Sequence, residues 1–410
     1  MTASDVIQLS GHVLDSGAMG RTFDDILELG GDYVVERFDI GKTHADESAV
    51  RLRVTGQDEE HLARLIMRVQ AHGANLVDPG EALLRTVDVD GVFPEDFYST
   101  TNLDTEVRIN GRWLRVANPE MDCGLIVECE AVTTVPVSDV RAGAQIVCGA
   151  TGVKVILDPK PVTPDDESTF EFMNSVVSSE KPQALQVRQI AQQMRDVKAA
   201  GQTILWVGGP AVVHTGAAPA MCALVDAGFV DVLFAGNALA THDIESSFFG
   251  TSLGVDLSKG SGVVHGHEHH IRAINRIRRC GSIAAAVEQG VLTSGVMHAM
   301  VRNNKPYVLV GSVRDDGPLP DVYTDVIEGQ RAMRAELPGV GFAIMVATML
   351  HAIATGNILP AKVPLVCVDI NPATVTKLSD RGSAQAQGVV TDIGLFLEQL
   401  ALELVPDFRR

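Results

Sequence analysis

The chain has 410 residues, 46% of them hydrophobic and 21% charged, and a formal net charge of −19. That length predicts two or three domains with ample core, and the acidity argues against nucleic acid or an anionic membrane as partner. No apolar run approaches about 18 residues unbroken and the N-terminus carries no signal pattern, so neither a membrane span nor an export signal is expected.

Residues 1–97 read as a small ferredoxin-like or ACT-like α+β domain. His12–Leu14 leads into a helix over Arg21–Leu29, closed by Gly30-Gly31. Asp32–Phe38 and Ala49–Val54 alternate as strands, and Leu62, Leu65, Ile66 and Val69 have helical spacing. Residues 98–180 form a small β-rich middle domain. Asn110-Gly111 between Glu106–Ile109 and Arg112–Val116 is a type I′ hairpin signal, because both turn residues must take positive φ. Strands are expected at Gly124–Cys129, Gln145–Val147 and Val153–Leu157. Asn118–Cys123 reads equally as a substrate wall or a solvated turn, and Thr163–Glu171 as an exposed loop.

Residues 181–410 predict a Rossmann-like domain. A helix runs to about Ala200, and apolar runs at Thr203–Val207, Asp231–Ala235, Tyr307–Val313, Ala343–Ala347, Val363–Val368 and Gly388–Thr391 alternate with helical segments. Such runs form a parallel sheet buried on both faces. His265, His267, Glu268, His269 and His270 suggest a metal site, but their spacing is poor for zinc, so no metal is expected. The helix after them carries Arg272, Arg276, Arg278 and Arg279, a candidate subunit contact in an expected homo-oligomer, dimer or tetramer. The six cysteines form no CxxC pair, as expected of free thiols in a reducing cytoplasm.

Five strand ends carry Asn237, Asp316, Thr348, Asp369 and Asp392. Each alone also fits a helix cap. Together they mark the carboxyl edge of the sheet, where ligands of such folds bind. The turn of Thr348, Met349, Leu350 and His351 offers amides to a pyrophosphate, and Asp369 a ribose acceptor that favours NAD over NADP. Asn237, Ala238, Asp392 and Ile393 would line the rest. No GxGxxG accompanies them.

The strings GGPAVVHTGA (Gly208–Ala217), AGNALATHDI (Ala235–Ile244), GSVRDDGPLPDV (Gly311–Val322), ATMLHAIATGNIL (Ala347–Leu359) and CVDINPATVTKL (Cys367–Leu378) resemble the archaeal-type ornithine cyclodeaminase family. Its conserved region is shared with LOR/SDH bifunctional enzymes. The resemblance implies a deoxyhypusine-synthase-like NAD-binding fold and an ammonia-lyase that cyclises L-ornithine to L-proline, as in proline and arginine/ornithine metabolism. Arg314 would then hold the substrate carboxylate. Asp315, Asp316 and His351 would bind amines or relay protons, with Asp316 alternatively facing the cofactor. Another NAD-dependent amino-acid dehydrogenase of lysine or saccharopine type, and a non-catalytic NAD- or amino-acid-binding regulator, are the rival readings.

Overall fold

The computed structural model describes residues 2–11, 13, 17–42, 46–156, 183–253, 255–256, 268–315, 317–380 and 386–409. The chain divides into two compact units, Met1–Thr169 with Asn357–Lys362, and Phe170–Gly356 with Val363–Arg410.

The first unit opens with β1 (Ala3–Gly11), α1 (Ala18–Glu28), β2 (Asp32–Asp39), β3 (Ser48–Gly56), α2 (Glu59–Gln70) and β4 (Asn75–Leu76). The sheet order β2-β3-β1-β4, antiparallel throughout, is that of a ferredoxin-like βαββαβ unit. Its first strand lies ahead of the expected His12–Leu14, of which only Val13 is among the described residues. The strand is set by Ile7 and Leu9, which point into the core while Gln8 and Ser10 point away. Leu52, Leu65, Ile66 and Val69 close that core. Asp58 caps α2 by accepting from the amide of His61 at 2.8 Å.

A seven-stranded sheet follows, built from β5 (Leu83–Thr86), β6 (Asp104–Ile109), β7 (Arg112–Ala117), β8 (Gly124–Glu128), β9 (Ala131–Val135), β10 (Gln145–Cys148) and β11 (Val153–Ile156). Asn110 and Gly111 take φ of 52° and 76°, as the hairpin signal requires. In the Asn118–Cys123 turn Glu120 and Cys123 are buried while Asn118 and Asp122 are exposed, so it is solvated on one side only. The Thr163–Glu171 loop lies outside the described residues.

The second unit begins with α3 (Gln183–Ala199). It continues through β12 (Thr203–Gly208), α4 (Ala211–His214), α5 (Ala218–Asp226), β13 (Val232–Gly236) and α6 (Asn237–Phe249). After the short pair β14 (Thr251–Ser252) and β15 (Val255–Asp256) come α7 (His269–Cys280), α8 (Ile283–Glu288) and α9 (Val296–Arg302). The chain then forms β16 (Tyr307–Val310), β17 (Val322–Tyr323), α10 (Val326–Ala335), β18 (Val340–Val346) and α11 (Leu350–Ile358). It ends with β19 (Leu365–Asp369), α12 (Pro372–Asp380), β20 (Ala386–Val390) and α13 (Ile393–Leu404). β16 is three residues shorter than Tyr307–Val313. Asp315 folds back to accept from the amide of Ser312 at 2.7 Å, and the turn ends the strand.

The large sheet is wholly parallel, in the order β17-β16-β13-β12-β18-β19-β20. From β12 the chain winds outward through β13, β16 and β17, then returns to the other flank of β12 at β18. The order therefore reverses between β12 and β18. Trp206, Phe234, Phe342 and Phe396 are fully buried, each worth about 1.5–3 kcal/mol or more of burial. At the amino edge, Asp231 receives Lys198 and Lys305, each at 2.8 Å, and the Ile204 amide at 2.9 Å.

Candidate functional site

In a parallel sheet the crevice at a topological switch point lies outside the carboxyl ends of the strands. Here it lies where the loops after β12 and β18 diverge. The Gly209 amide donates to Val346 O at 2.9 Å, and a Cβ on Gly209 would fall 1.8 Å from Ala347 O. Only glycine permits that approach. Ala347 itself takes a left-handed φ of 52°, unusual for a residue with a Cβ. It turns the chain sharply into α11. The first turn of α11, at Leu350 and His351, presents backbone amides that no intrahelical carbonyl can take.

Asp369 closes the next strand and is half-buried; its Oδ1 accepts from the Asn371 amide at 2.8 Å, and Asn371 in turn caps Ala373 at 3.0 Å. This turn fixes the carboxylate at the edge. No described residue bonds its Oδ2. At the same edge of the sheet Leu350 is 71% exposed and Ile370 69%, with Met349 also exposed.

The His351 ring lies over Gly236, where a Cβ would be 3.3 Å from Cε1, and donates to Val310 O. Burial lowers its pKa below the ordinary imidazole range, outweighing the Val310 bond and the charge of Asp315. His351 and Asp315 are thus brought together above β13 and β16. Arg314 is exposed on the same turn, and Asp316 lies outside the described residues.

Other expected residues are held differently. The Asn237 side chain is buried and accepts from Leu319 N at 3.0 Å and Thr241 Oγ1 at 3.2 Å, so it ties Leu319 to α6. Asp392 accepts from Leu395 N at 2.9 Å, capping α13, with Ile393 buried as its first residue. Ala238 follows Asn237 in the first turn of α6. On α7, Arg272 pairs with Glu268, Arg276 lies over the Phe248 ring and Arg278 donates to Pro318 O. Of the histidine-rich loop, His265 and His267 lie outside the described residues, and among the described residues no cluster of three or more His, Cys, Asp or Glu is arranged around a metal position.

Sequence reasoning missed a second polar group on α4 and α6, the helices that follow β12 and β13. His242 Nδ1 meets Glu245 Oε2 at 2.8 Å, and the fully buried Glu245 also receives Thr251 Oγ1 at 2.9 Å and Leu253 N at 3.2 Å. His214 Nδ1 lies 2.6 Å from Ser252 Oγ, and its ring centroid 4.9 Å from that of His242. The available signal was the i, i+3 spacing of His242 and Glu245, which places both on one helix face.

A parallel sheet with a glycine-narrowed switch point and an acid on the adjoining strand end defines a protein of the Rossmann-type class. The chain belongs to the ArgZ-like family. Residues 188–400 match the model for the C-terminal Rossmann fold of ArgZ-like arginine dihydrolases, 104–187 match its first region, and 4–103 match the LOR/SDH bifunctional enzyme conserved region. The ornithine cyclodeaminase of Methanothermobacter thermautotrophicus is 50% identical, covering 97% of each chain. The apo structure of ArgZ, an arginine dihydrolase of the cyanobacterial ornithine–ammonia cycle, superposes with a TM-score of 0.86 at 37% identity. That match covers 98% of this chain and 58% of the longer one. A ternary complex of AgrE with ornithine and NAD+ is 42% identical with a TM-score of 0.53, covering 98% of this chain and 57% of that one.

Proposed function

We propose that the protein is an NAD-dependent ornithine cyclodeaminase, converting L-ornithine to L-proline and ammonia. The observation that carries this reading is the match of 98% of the chain to a relative crystallised with ornithine and NAD+. The switch-point crevice supports it. Glycine at 209 lets the loop after β12 lie directly against the Ala347 carbonyl, and Asp369 stands at the next strand end. These are features a dinucleotide fits.

On this reading the turn of Thr348, Met349, Leu350 and His351 holds the pyrophosphate by its amides, and Asp369 the ribose hydroxyls. Ala238 and Ile393 line the crevice through their backbone, with Asn237 and Asp392 shaping the turns around them. When bound, NAD would supply reversible hydride transfer at the α-carbon of ornithine. Arg314 binds the substrate carboxylate, for which a planar guanidinium is suited. Asp315 and Asp316 receive the amines. His351, held neutral by burial, takes a proton from the α-ammonium group.

We further propose a cytoplasmic homo-oligomer, dimer or tetramer. Six free cysteines support the compartment. For the assembly, the outermost strand β2 carries exposed Val34 and Val35. No described helix is long and apolar enough to cross a membrane.

Ornithine with substoichiometric NAD+ tests the function. Many turnovers to proline and ammonia are expected with no net rise in NADH absorbance. NADH formed in proportion to product would instead identify a dehydrogenase of the lysine or saccharopine type.

A further inference from the structure

We infer that His214 and His242, with Glu245 behind them, form the proton-transfer pair for ring closure and ammonia loss. The inference rests on the ornithine-to-proline reading and assigns it residues outside the crevice roles given above.

Both rings are fixed through Nδ1, His242 by Glu245 and His214 by Ser252, and Nε2 of each has no hydrogen bond to a described residue. Anchoring one ring nitrogen sets the orientation and task of the other. The elements carrying the pair follow β12 and β13, two adjacent strands, at the carboxyl edge of the sheet. Gly236, one residue before α6, faces His351. Thr215, one residue after His214, is so close to α13 that a Cβ on Gly394 would lie 3.2 Å from Thr215 Cβ. Elsewhere, a buried carboxylate with three hydrogen-bond donors would serve only to pin a loop. Here one of the donors, among the described residues, is an imidazole whose neighbour, 4.9 Å away, is a second imidazole.

An imidazole can give a proton from one ring nitrogen and take one at the other, so two neighbouring rings can serve as acid and base. One ring is then a base and the other an acid. Ring closure needs such a pair. Once the α-carbon has become an iminium carbon, the δ-ammonium nitrogen must lose two protons and the α-nitrogen must gain two. The freed δ-nitrogen lone pair forms the new C–N bond. The old C–N bond breaks with its electron pair leaving on the α-nitrogen, which departs as ammonium. The δ-nitrogen ends as the ring iminium, total charge is conserved, and no oxidant or reductant is consumed. The imidazole pair passes two protons between two nitrogens and ends as it began.

The test uses the full chain with NAD+ and ornithine, comparing wild type with His242→Gln and His214→Gln. Expected results are NAD+ affinity within about twofold, little change in melting temperature, and turnover lowered about 10²–10⁴-fold. After one mixing with ornithine, 340 nm absorbance should rise in the variants to near one NADH per site, because chemistry stalls after hydride removal. Near-normal turnover in both variants would overturn the inference. So would turnover lost without NADH build-up, or lost together with NAD+ binding in both. Should the buried His242 variant not fold, the half-exposed His214 variant alone decides by the same criteria. A wild-type chain that makes no proline would instead sink the functional reading, and this inference with it.

Discussion

Gly209 and Ala347 meet so closely that a single added methyl on the first would overlap the carbonyl oxygen of the second, at 1.8 Å. This contact sets how narrowly the loops after β12 and β18 part, and so the floor of the crevice. Gly209→Ala must push the loops apart. About 1–3 kcal/mol of destabilisation is expected, seen as a lowered melting temperature, together with weakened NAD+ binding by calorimetric titration. An alanine variant with unchanged melting and affinity would show that the loops yield freely.

Asp369→Ala removes the strand-end carboxylate. If it holds the ribose, NAD+ affinity should fall by roughly 1.5–3 kcal/mol, about 10- to 150-fold. Equal titration curves for the two proteins would reject the assignment.

Arg314→Ala should act on substrate rather than cofactor. Losing a charge-assisted carboxylate contact predicts a KM for ornithine raised about tenfold or more, with kcat and NAD+ affinity little altered. A fall in kcat with KM unchanged would point to a different task.

Asp231 predicts a pH dependence of stability. Burial raises its carboxyl pKa, but the bonds from Lys198, Lys305 and the Ile204 amide together lower it below the ordinary carboxylate range. A carboxyl depressed in the folded state binds protons less readily there than in the unfolded chain. Its stabilisation is therefore complete above the unfolded carboxylate pKa and disappears as pH falls through the folded one. Asp231→Asn should cost about 3–5 kcal/mol near pH 7, because two lysines lose their partner. The melting-temperature gap to wild type should close as pH drops below about 4. A gap independent of pH would mean that the cost is steric.

The parts legible in the sequence are those where one local rule suffices. Asn110-Gly111 specified its hairpin because few other residue pairs take two positive φ values. The β12, β13, β18 and β19 runs were legible because a strand buried on both faces has to be apolar throughout. Strands β5 and β9 escaped because Leu83, Thr133 and Thr134 give no clean alternation. Asp392 shows the limit at the site. An acid at a strand end serves equally as cap or ligand, and only the Leu395 amide at 2.9 Å reveals the cap. The His242–Glu245 pair was hidden for a related reason. Thr241, His242, Asp243 and Glu245 are all buried on α6, so this part of the helix has no solvent face by which pattern could sort core from chemistry.

The two ends of the large sheet are built for opposite demands. Asp231 gathers a helix and the approaches to three adjacent strands into one ionic knot at the amino edge, while the carboxyl edge is left to glycines and turns. Distant, unconnected sites contribute additively. The thermal protection conferred by NAD+ should therefore be the same in Asp231→Asn as in wild type. The scaffold can then be loosened or reinforced from below without retuning the crevice above, so thermal tolerance and ligand binding in this chain are set at opposite ends of one sheet.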